Sequence, residues 1–435
     1  MNVADSRRVA SALETLGYQP TGTADEADVV VLNTCVVRQS AEESAQGRIG
    51  SLVGIKRQNP DLVINVMGCL VGVKDPRQLE ERFPHVDVFS PPSDPGPLMA
   101  YLTQEETKTW QQEATSRRFA FMDGELELPR EDRGQLVSAY VPVVLGCSHA
   151  CTYCIIPYRR GIERSRPARD VLHEVQSLVS QGVREVTLLG QIVDRYGLDL
   201  DPPTNLSELL RKVHDVEGLE RIRFLTSHPN WFSEELMAAV ADLPKVMPHI
   251  EVPHQAGDDQ VLEDMKREYT VAAYRDLVAR IRDSIPRVSI ATDVIVGFPG
   301  ETREQYRRSY QLLEELKFDV VHLARYSVRS GTVADRKMED DVPEEEKWRR
   351  FKEMEVLQEQ IAGQINARYE GRTVDVLFED LHKDRWRGRT PNNKLVFVRS
   401  EEDLRGKILP VTLTWTGPWS MQGRLARMET PQQVS

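Results

Sequence analysis

The stretch Gly146-Cys-Ser-His-Ala-Cys-Thr-Tyr-Cys154 is the part of this chain that says most about its fold and chemistry. Its three cysteines, Cys147, Cys151 and Cys154, follow a C-x3-C-x2-C spacing. Cysteine thiolates are the usual ligands of iron–sulfur clusters, so three of them predict a [4Fe–4S] cluster that leaves one iron without a protein ligand. An open iron suits a cluster that binds a small molecule and passes it an electron.

A zinc site is the alternative interpretation of the same cysteines. Zinc prefers a closed tetrahedron of four ligands, commonly arranged in sequence as two separated pairs. His149 would have to be the fourth ligand, and its position inside the run gives it poor geometry. Ligand count and spacing therefore favour the iron–sulfur cluster.

Length and composition indicate a cytoplasmic protein of several domains. The 435 residues predict about three domains. No stretch is long and apolar enough to span a bilayer, and the polar first eight residues do not resemble a secretory signal. The chain has five cysteines, an odd number, and three of them crowd one loop, which argues for a reducing compartment rather than a disulfide framework.

The charge is uneven along the chain. The net charge of −12 excludes a protein coated with basic surface, but local basic regions remain compatible with it. Residues 367–435 contain 12 Lys and Arg against 9 Asp and Glu, a local charge of +3. We expect this part to face RNA, although chance unevenness explains so small a difference equally well.

The first segment alternates helix and strand patterns. Residues 4–16 have helical spacing, and the apolar runs 28–33 and 62–67 predict buried parallel strands. Cys35 and Cys69 directly follow these runs, at the sheet edge where open α/β folds bind ligands. We therefore predict that the two thiols converge on one site; the alternative is two unrelated small buried side chains. The proline-rich and then charged residues from 91 to 133 predict a connector.

A second βα series begins near residue 139. Strand patterns lie at 141–145, 185–189, 221–225, 249–252, 289–296 and 319–325, with helical patterns such as 170–180 and 233–241 between them. Six units predict an open partial (β/α)6 barrel, with the three-cysteine loop after its first strand. A charged helix over 343–369 then leads to short alternating runs over 373–427, which predict a small β-barrel. The predicted fold class is α/β with a C-terminal β-barrel.

Several motifs together resemble the methylthiotransferase family of radical S-adenosylmethionine (SAM) enzymes. The resemblance covers almost the whole chain and is strongest to the members that modify isopentenylated adenosine in tRNA. It implies a methylthiotransferase N-terminal domain at 1–125 without its first strand, a radical SAM domain at 133–366 and a TRAM barrel at 367–430. The motifs that carry it are Gly146 to Pro167, Leu188-Leu-Gly-Gln191, Arg223 to Pro229, Asp293 to Thr302, Tyr326 to Thr332 and Gly388 to Phe397.

The resemblance implies two [4Fe–4S] clusters and two uses of SAM. Cys147, Cys151 and Cys154 would hold the catalytic cluster that generates the 5′-deoxyadenosyl radical, and Cys35 and Cys69 would ligate a second cluster whose sulfide is methylated. The radical would abstract hydrogen from carbon 2 of isopentenyladenosine 37 in a tRNA anticodon stem-loop. The implied partners are that RNA and an electron donor such as flavodoxin or ferredoxin, and the enzyme would act as a monomer.

The resemblance and the motif positions also predict which side chains bind the cofactor and the RNA. The predicted SAM-binding residues are Tyr153, Gln191, Ser227, Gln255, Gly297 and Pro299. The predicted RNA-binding residues are Arg385, Arg387, Arg389, Asn393 and Lys394, with Asn392 beside them and Trp386 as a stacking platform. Five arginines near the cysteine loop, at positions 159, 160, 164, 166 and 169, could hold tRNA phosphates or pair with acidic side chains, and we weigh the two equally.

The chain departs from the family pattern at two places. Family members usually carry a further cysteine in a Gly-Cys-Gln-Met-Asn segment, and Met1-Asn2 match its last two residues. We expect a start codon assigned too late; the alternative is a two-cysteine variant with a labile cluster. His254 stands where relatives commonly have valine and is expected to alter the SAM pocket. Two other functions stay open: methylthiolation of threonylcarbamoyladenosine, and a non-catalytic iron–sulfur RNA-binding protein.

Overall fold

The N-terminal domain is a three-stranded parallel sheet flanked by helices. The structure, a computed structural model, describes residues 1–73, 76–104 and 126–426. The strands are β1 (Val29–Thr34), β2 (Val63–Gly68) and β3 (Val88–Ser90), in the order β1-β2-β3. The helices are α1 (Asn2–Thr15), α2 (Gln39–Gln58), α3 (Arg77–Arg82) and α4 (Gly96–Thr103). The two predicted strands are thus confirmed, and β2 is the more buried of them because it lies in the middle of the sheet.

The proline-rich segment after β3 is buried, so the connector prediction is wrong for residues 91–104. Residues 91–95 are buried, and α4 begins directly after them. Prolines suit this position because the first turn of a helix needs no backbone N–H donor. The Asp94 carboxylate accepts a hydrogen bond from the Gly96 amide at 2.9 Å and supports the same turn. The central part of the predicted connector, residues 105–125, lies outside the described residues.

The middle of the chain forms the predicted open barrel. Its strands are β4 (Ser138–Pro142), the short hairpin strands β5 (Val144–Leu145) and β6 (Arg164–Ser165), then β7 (Glu185–Leu189), β8 (Arg221–Leu225), β9 (His249–Glu251), β10 (Ser289–Val296) and β11 (Val320–Arg325). The parallel sets are β4-β7-β8 and β11-β10-β9, and hydrogen bonds such as Ser227 N to Glu251 O at 3.0 Å continue the series from β8 to β9. In the described part of the chain β4 and β11 do not pair, so the barrel is open.

Helices cover the outside of this barrel, which explains why its inner strands are continuously apolar. Between residues 156 and 367 they are α5 (Ile156–Arg160), α6 (Ala168–Ser180), α7 (Leu206–His214), α8 (Glu234–Asp242), α9 (Asp259–Asp264), α10 (Val271–Ser284), α11 (Arg303–Leu316), α12 (Val333–Lys337) and α13 (Glu344–Ala367). Every residue of β7 is buried. Several helices begin at side chains that accept hydrogen bonds from the first turn, and Thr302 with Gln305 forms a capping box on α11.

The C-terminal part is a closed five-stranded barrel. Its strands are β12 (Thr373–His382), β13 (Arg385–Arg389), β14 (Leu395–Val398), β15 (Ile408–Thr416) and β16 (Met421–Leu425), in the order β12-β13-β14-β16-β15. Closure leaves no open sheet edge. The Trp386 side chain is only 6% exposed and packs in the barrel core with Val376 and Phe378, so its prediction as a stacking platform is wrong.

The three parts are joined by buried ion pairs and hydrogen bonds. Arg8 of α1 and Arg166 both bind the carboxylate of Glu174 on α6, and all three side chains are buried. Arg223 of β8 donates to the carbonyls of Thr390 and Pro391, each at 2.9 Å, which docks the C-terminal barrel on the middle one. Among the helices that the structure describes, none has the length and apolar character that a bilayer span requires.

Candidate active site

The three-cysteine loop lies at the carboxyl end of the first barrel strands and is closed by a hairpin. The Cys147 amide donates to the Gly161 carbonyl at 3.0 Å, next to the pairing of β5 with β6. Gly146 has φ +72°, and a Cβ there would lie 2.1 Å from the Ile162 carbonyl oxygen. Only glycine fits this close approach of two backbone segments, so the loop depends on it.

The thiols of this loop are too widely spaced for one tetrahedral ion. In the described part of the chain, the Cys147, Cys151 and Cys154 sulfurs do not all lie within 4.8 Å of one another. Zinc–sulfur bonds of about 2.3 Å would bring ligand sulfurs to roughly 3.8 Å. In a [4Fe–4S] cluster each cysteine binds a different iron, which allows larger distances between the sulfurs. The loop therefore fits such a cluster. His149, the fourth ligand of the zinc interpretation, instead contacts His228, with their Nε2 atoms 3.1 Å apart.

Burial of these thiols favours their neutral form until a metal binds. Burial raises the pKa of Cys147 to about 11 and that of Cys154 to about 12. Iron offsets this cost because a metal ion deprotonates a coordinating thiol. Cys147 and Cys154 pack with Ile156, Ile192 and Trp231, an apolar shell that limits access of water to a cluster.

The N-terminal cysteines converge, as predicted, on a site beside the middle barrel. Each cysteine directly follows its strand, where Thr34 of β1 pairs with Gly68 of β2 and the Cys69 amide donates to the Thr34 carbonyl at 3.0 Å. The Arg160 Nε donates to the Cys69 sulfur at 3.2 Å, and burial raises the pKa of the Cys69 thiol against the effect of that guanidinium. The two thiols are thus brought together, and Arg160 connects Cys69 to the end of the three-cysteine loop.

A cavity of about 830 Å³ lies between the three-cysteine loop and the segment that follows Cys35. Tyr153, Cys154 and Gln255 line one side of it, and residues 37–40, which follow Cys35, line the other. Arg329 holds this second wall in place by donating to the Val36 carbonyl at 2.5 Å and pairing with Glu42. The cavity is therefore bounded by Cys154 and by the segment that directly follows Cys35.

Asp293 and His322 line the cavity and form, with Glu251 beside them, a group that the sequence did not reveal. Glu251, Asp293 and His322 come from three neighbouring parallel strands, and their ligand atoms lie within 4.8 Å of one another. Burial, and then the charge of Asp293, raise the pKa of Glu251 to about 7. The period-two pattern of each strand predicts which residues share a face, but it does not predict that these three strands are neighbours.

The predicted SAM-binding residues fall into two groups. Tyr153 and Gln255 line the cavity, and Gln255 has the unusual φ of +69°. Ser227 is buried, with a hydroxyl that has no hydrogen-bond partner in the described chain, which leaves it free for a ligand. The others lie elsewhere: Gln191 contacts the Met1 sulfur, and the turn with Gly297 and Pro299 packs on α13, where a Cβ at 297 would lie 2.4 Å from Lys347.

His254 lies behind the cavity wall and not in it. Its ring stacks on Phe318 at 5.8 Å between centroids, and its Nδ1 lies 2.9 Å from the Thr292 hydroxyl. The side chain is fully buried. His254 would therefore affect a SAM pocket only indirectly, by its packing against Thr292 of β10, and would not contact SAM itself.

Several predicted RNA-binding residues lie in the domain interface. Lys394 is buried and pairs with Asp319 at 2.6 Å, so its ammonium is not available to a phosphate. Asn393 contacts His249, and Asn392 donates to the carbonyls of Arg287 and Pro248. The remaining predicted residues, Arg385, Arg387 and Arg389, lie on β13 at intermediate exposure, and the last two pair with Asp380 and Glu379.

The five arginines near the cysteine loop separate by environment. Arg160 and Arg166 are buried and bonded to protein groups, and Arg159 donates to the Leu70 carbonyl at 3.2 Å. Arg164 and Arg169 are exposed. Ion pairing and domain docking thus account for the first three, and only the exposed two present charge to solvent.

Comparison with known proteins agrees with this architecture. A protein of Roseiflexus sp. named tRNA-2-methylthio-N(6)-dimethylallyladenosine synthase is 47% identical over 432 residues, covering 99% of this chain and 88% of the relative. Proteins of the same name from Chloroflexus aurantiacus and Herpetosiphon aurantiacus are 45% and 44% identical, covering 97% and 98% of this chain and 89% and 95% of theirs. The chain belongs to this family of radical SAM methylthiotransferases. It is a radical SAM transferase.

Domain models match in the same order as the three structural parts. The Uncharacterized protein family UPF0004 matches residues 1–90, the Radical SAM superfamily residues 141–313 and the TRAM domain residues 367–426. Among solved structures, the radical S-adenosylmethionine methyltransferase TsrM of Kitasatospora setae has a TM-score of 0.56 at 18% identity, over 76% of this chain and 73% of that one. A second TsrM structure has a TM-score of 0.52 at 18% identity, over 73% and 64%. The methyltransferase therefore shares the fold of this family member.

Proposed function

We propose that this enzyme methylthiolates carbon 2 of N6-isopentenyladenosine at position 37 of tRNA. The observation that carries the proposal is the cavity that is lined by Cys154 and by the segment directly after Cys35. A reaction that joins a radical to a methylthio group needs both sources to reach one carbon, and a shared cavity permits this. The names of the relatives support the same substrate.

Two [4Fe–4S] clusters and SAM are the cofactors that we propose. When bound, they supply the methylthio group and the 5′-deoxyadenosyl radical. Cys147, Cys151 and Cys154 would hold one cluster, and Cys35 and Cys69 would supply two ligands of the other. Tyr153 and Gln255 help to orient SAM in the cavity, while the apolar shell of the three-cysteine loop keeps water away.

The outer part of the cavity favours an apolar substituent on the adenine. Val37, Val328 and Trp348 line it and are 53%, 43% and 46% exposed, which is costly unless a ligand covers them. A prenyl chain suits such a lining.

Three of the basic side chains that line the cavity pair with carboxylates of the protein. Lys347 pairs with Asp340 at 2.6 Å, and Arg325 and Arg329 pair with Glu344 and Glu42. A threonylcarbamoyl group carries a carboxylate, and these three cations are not free to pair with it. Arg38 also lines the cavity and has no ion-pair partner among the described residues, so the preference for the prenyl group rests on the apolar lining.

The proposal also includes the contacts with tRNA and the source of electrons. The TRAM barrel binds the anticodon stem-loop, with Arg385 and Arg387 of β13 and the exposed indoles of Trp415 and Trp419 as contact residues. Base 37 lies in an unpaired loop, where extrusion costs less than from a duplex. A flavodoxin or ferredoxin supplies electrons, and the enzyme acts as a cytoplasmic monomer.

The test uses reconstituted enzyme, SAM, a reductant and two anticodon stem-loop RNAs that differ only at position 37. We expect 2-methylthio-N6-isopentenyladenosine and 5′-deoxyadenosine with the prenylated RNA, and no product with the threonylcarbamoylated RNA, by nucleoside mass spectrometry. Cys151→Ala should abolish both products while the RNA affinity is unchanged. Product only from the threonylcarbamoylated RNA would identify the other substrate; RNA binding without 5′-deoxyadenosine in the wild type would indicate a non-catalytic RNA-binding protein.

A further inference from the structure

The segment after α9 brings a buried arginine to the three-cysteine loop from a distant part of the chain. Arg267 is 5% exposed, and its Nη1 lies 3.4 Å from the sulfur of Cys151, 116 residues earlier. The same segment also binds the loop at Thr152, whose amide donates to the Met265 carbonyl at 3.2 Å and whose hydroxyl donates to the Asp264 carbonyl at 2.8 Å. The contact with Cys151 is thus part of a fixed interface between two segments.

The guanidinium is held in one orientation by its other donors. Its Nη2 donates to the Pro253 carbonyl at 3.4 Å and its Nε to the Tyr269 hydroxyl at 3.2 Å. The Tyr269 hydroxyl in turn donates to the His254 carbonyl at 2.8 Å. Each of the three guanidinium nitrogens therefore donates a hydrogen bond, and the acceptor for Nη1 is the Cys151 sulfur.

The charge of Arg267 has no carboxylate partner. In the part of the chain that the structure describes, no Asp or Glu oxygen lies within 4.0 Å of this buried side chain, and the Asp293 carboxylate interacts with it only from a greater distance. A buried charge without a counter-charge is costly. The positive φ values of the residues on both sides, +55° at Lys266 and +59° at Glu268, show that the backbone adopts an unfavourable conformation to place it there.

We propose that Arg267 donates a charge-assisted hydrogen bond to the Cys151 thiolate of the [4Fe–4S] cluster and thereby raises the reduction potential of that cluster. The ligand thiolate is the missing counter-charge, and the cluster gains a further negative charge when it is reduced. A fixed positive charge and a donor at a ligand sulfur stabilise that reduced form. Arg267 is a positioning residue in this scheme, and the proposal does not depend on the tRNA substrate.

The test measures the cluster itself and not turnover. Wild type, Arg267→Met, Arg267→Gln and Lys266→Met are prepared as full chains that also carry Cys35→Ala and Cys69→Ala, so that only the Cys147–Cys151–Cys154 cluster is observed. Lys266 is exposed and is the matched control, because its substitution removes the same charge one residue away. Iron content is measured first, and then the midpoint potential by electron paramagnetic resonance in a redox titration without SAM.

At a fixed solution potential, we expect the ratio of reduced to oxidised cluster to fall about tenfold in Arg267→Met. This corresponds to a midpoint potential lower by about 59 mV for one electron. Lys266→Met should titrate like the wild type. If Arg267→Met does not hold iron, Arg267→Gln, which keeps an N–H donor but not the charge, should show a fall in the same direction. An iron-loaded Arg267 variant with the wild-type potential would overturn the proposal, even if its affinity for SAM were lower.

Discussion

At the scale of single residues, the cysteine loop depends on one glycine. Gly146 combines φ +72° with a carbonyl oxygen 2.1 Å from where its Cβ would be. Gly134 has a similar φ of +69° but open space around it. Substitution by alanine at either position brings the backbone strain of a left-handed residue, and only at position 146 does it add a clash with main chain.

We therefore expect Gly146→Ala to lose iron and to be less stable than Gly134→Ala by about 1–3 kcal/mol. Iron content after reconstitution and urea denaturation of the two variants measure the difference. Equal stability and equal iron loading would mean that the loop relaxes around the added methyl group, and that the tight turn is not what positions Cys147.

The residue types at the site were predictable, but their long-range partners were not. The C-x3-C-x2-C spacing is local, so it identifies three ligands without any knowledge of the fold. Arg267 and Arg160 reach Cys151 and Cys69 across 116 and 91 residues, and no local pattern encodes such contacts. Lys394 was predicted to bind RNA for the same reason. The local sequence around a lysine does not indicate whether its ammonium contacts RNA or a distant carboxylate such as that of Asp319.

At the scale of elements, the buried strands were predictable because helices cover them and make them continuously apolar. The predicted bounds of β7, β8 and β10 agree with those of the structure. β13 was instead interpreted as a basic RNA-binding surface, since three of its five residues are arginine. Its inward positions are Trp386 and Gly388, and a Cβ on that glycine would lie 2.5 Å from the Leu377 carbonyl oxygen. Buried and partly exposed residues do alternate along β13, but arginine and glycine are not residues that identify a strand from the sequence.

The docking of the C-terminal barrel on the middle one gives a prediction at this scale. Lys394, just before β14, pairs with Asp319 just before β11, at 8% and 12% side-chain exposure. Lys394→Met leaves the carboxylate without its cation, so we expect a loss of roughly 3 kcal/mol in thermal or urea unfolding. The dependence of RNA affinity on salt should not change, because no phosphate contact is lost.

Arg385→Gln on the neighbouring strand is the matched comparison. Here the stability should be unchanged, and the slope of log affinity against log salt should decrease in magnitude by about 0.7, as for one phosphate contact with a single strand. A smaller salt slope in Lys394→Met with unchanged stability would contradict the structural role of this lysine and restore its predicted contact with RNA.

At the scale of the whole molecule, the domains are arranged so that the three-cysteine loop and the segment after Cys35 face one cavity. The buried Arg8–Glu174–Arg166 cluster joins α1 to α6, and Arg329 joins the segment after Cys35 to the loop after β11. The three-domain order could be predicted from the alternation of patterns along the chain. The cavity could not, because it is formed by the packing of one domain against another.

The central claim is that this chain methylthiolates isopentenylated adenosine in tRNA. The most direct measurement is nucleoside mass spectrometry of tRNA from a host that lacks its own methylthiotransferase and expresses this protein. We predict conversion of N6-isopentenyladenosine to 2-methylthio-N6-isopentenyladenosine by the wild type, and no conversion by the Cys151→Ala variant. Persistence of unmodified N6-isopentenyladenosine in cells that contain the iron-loaded protein, or a methylthio group on threonylcarbamoyladenosine instead, would contradict it.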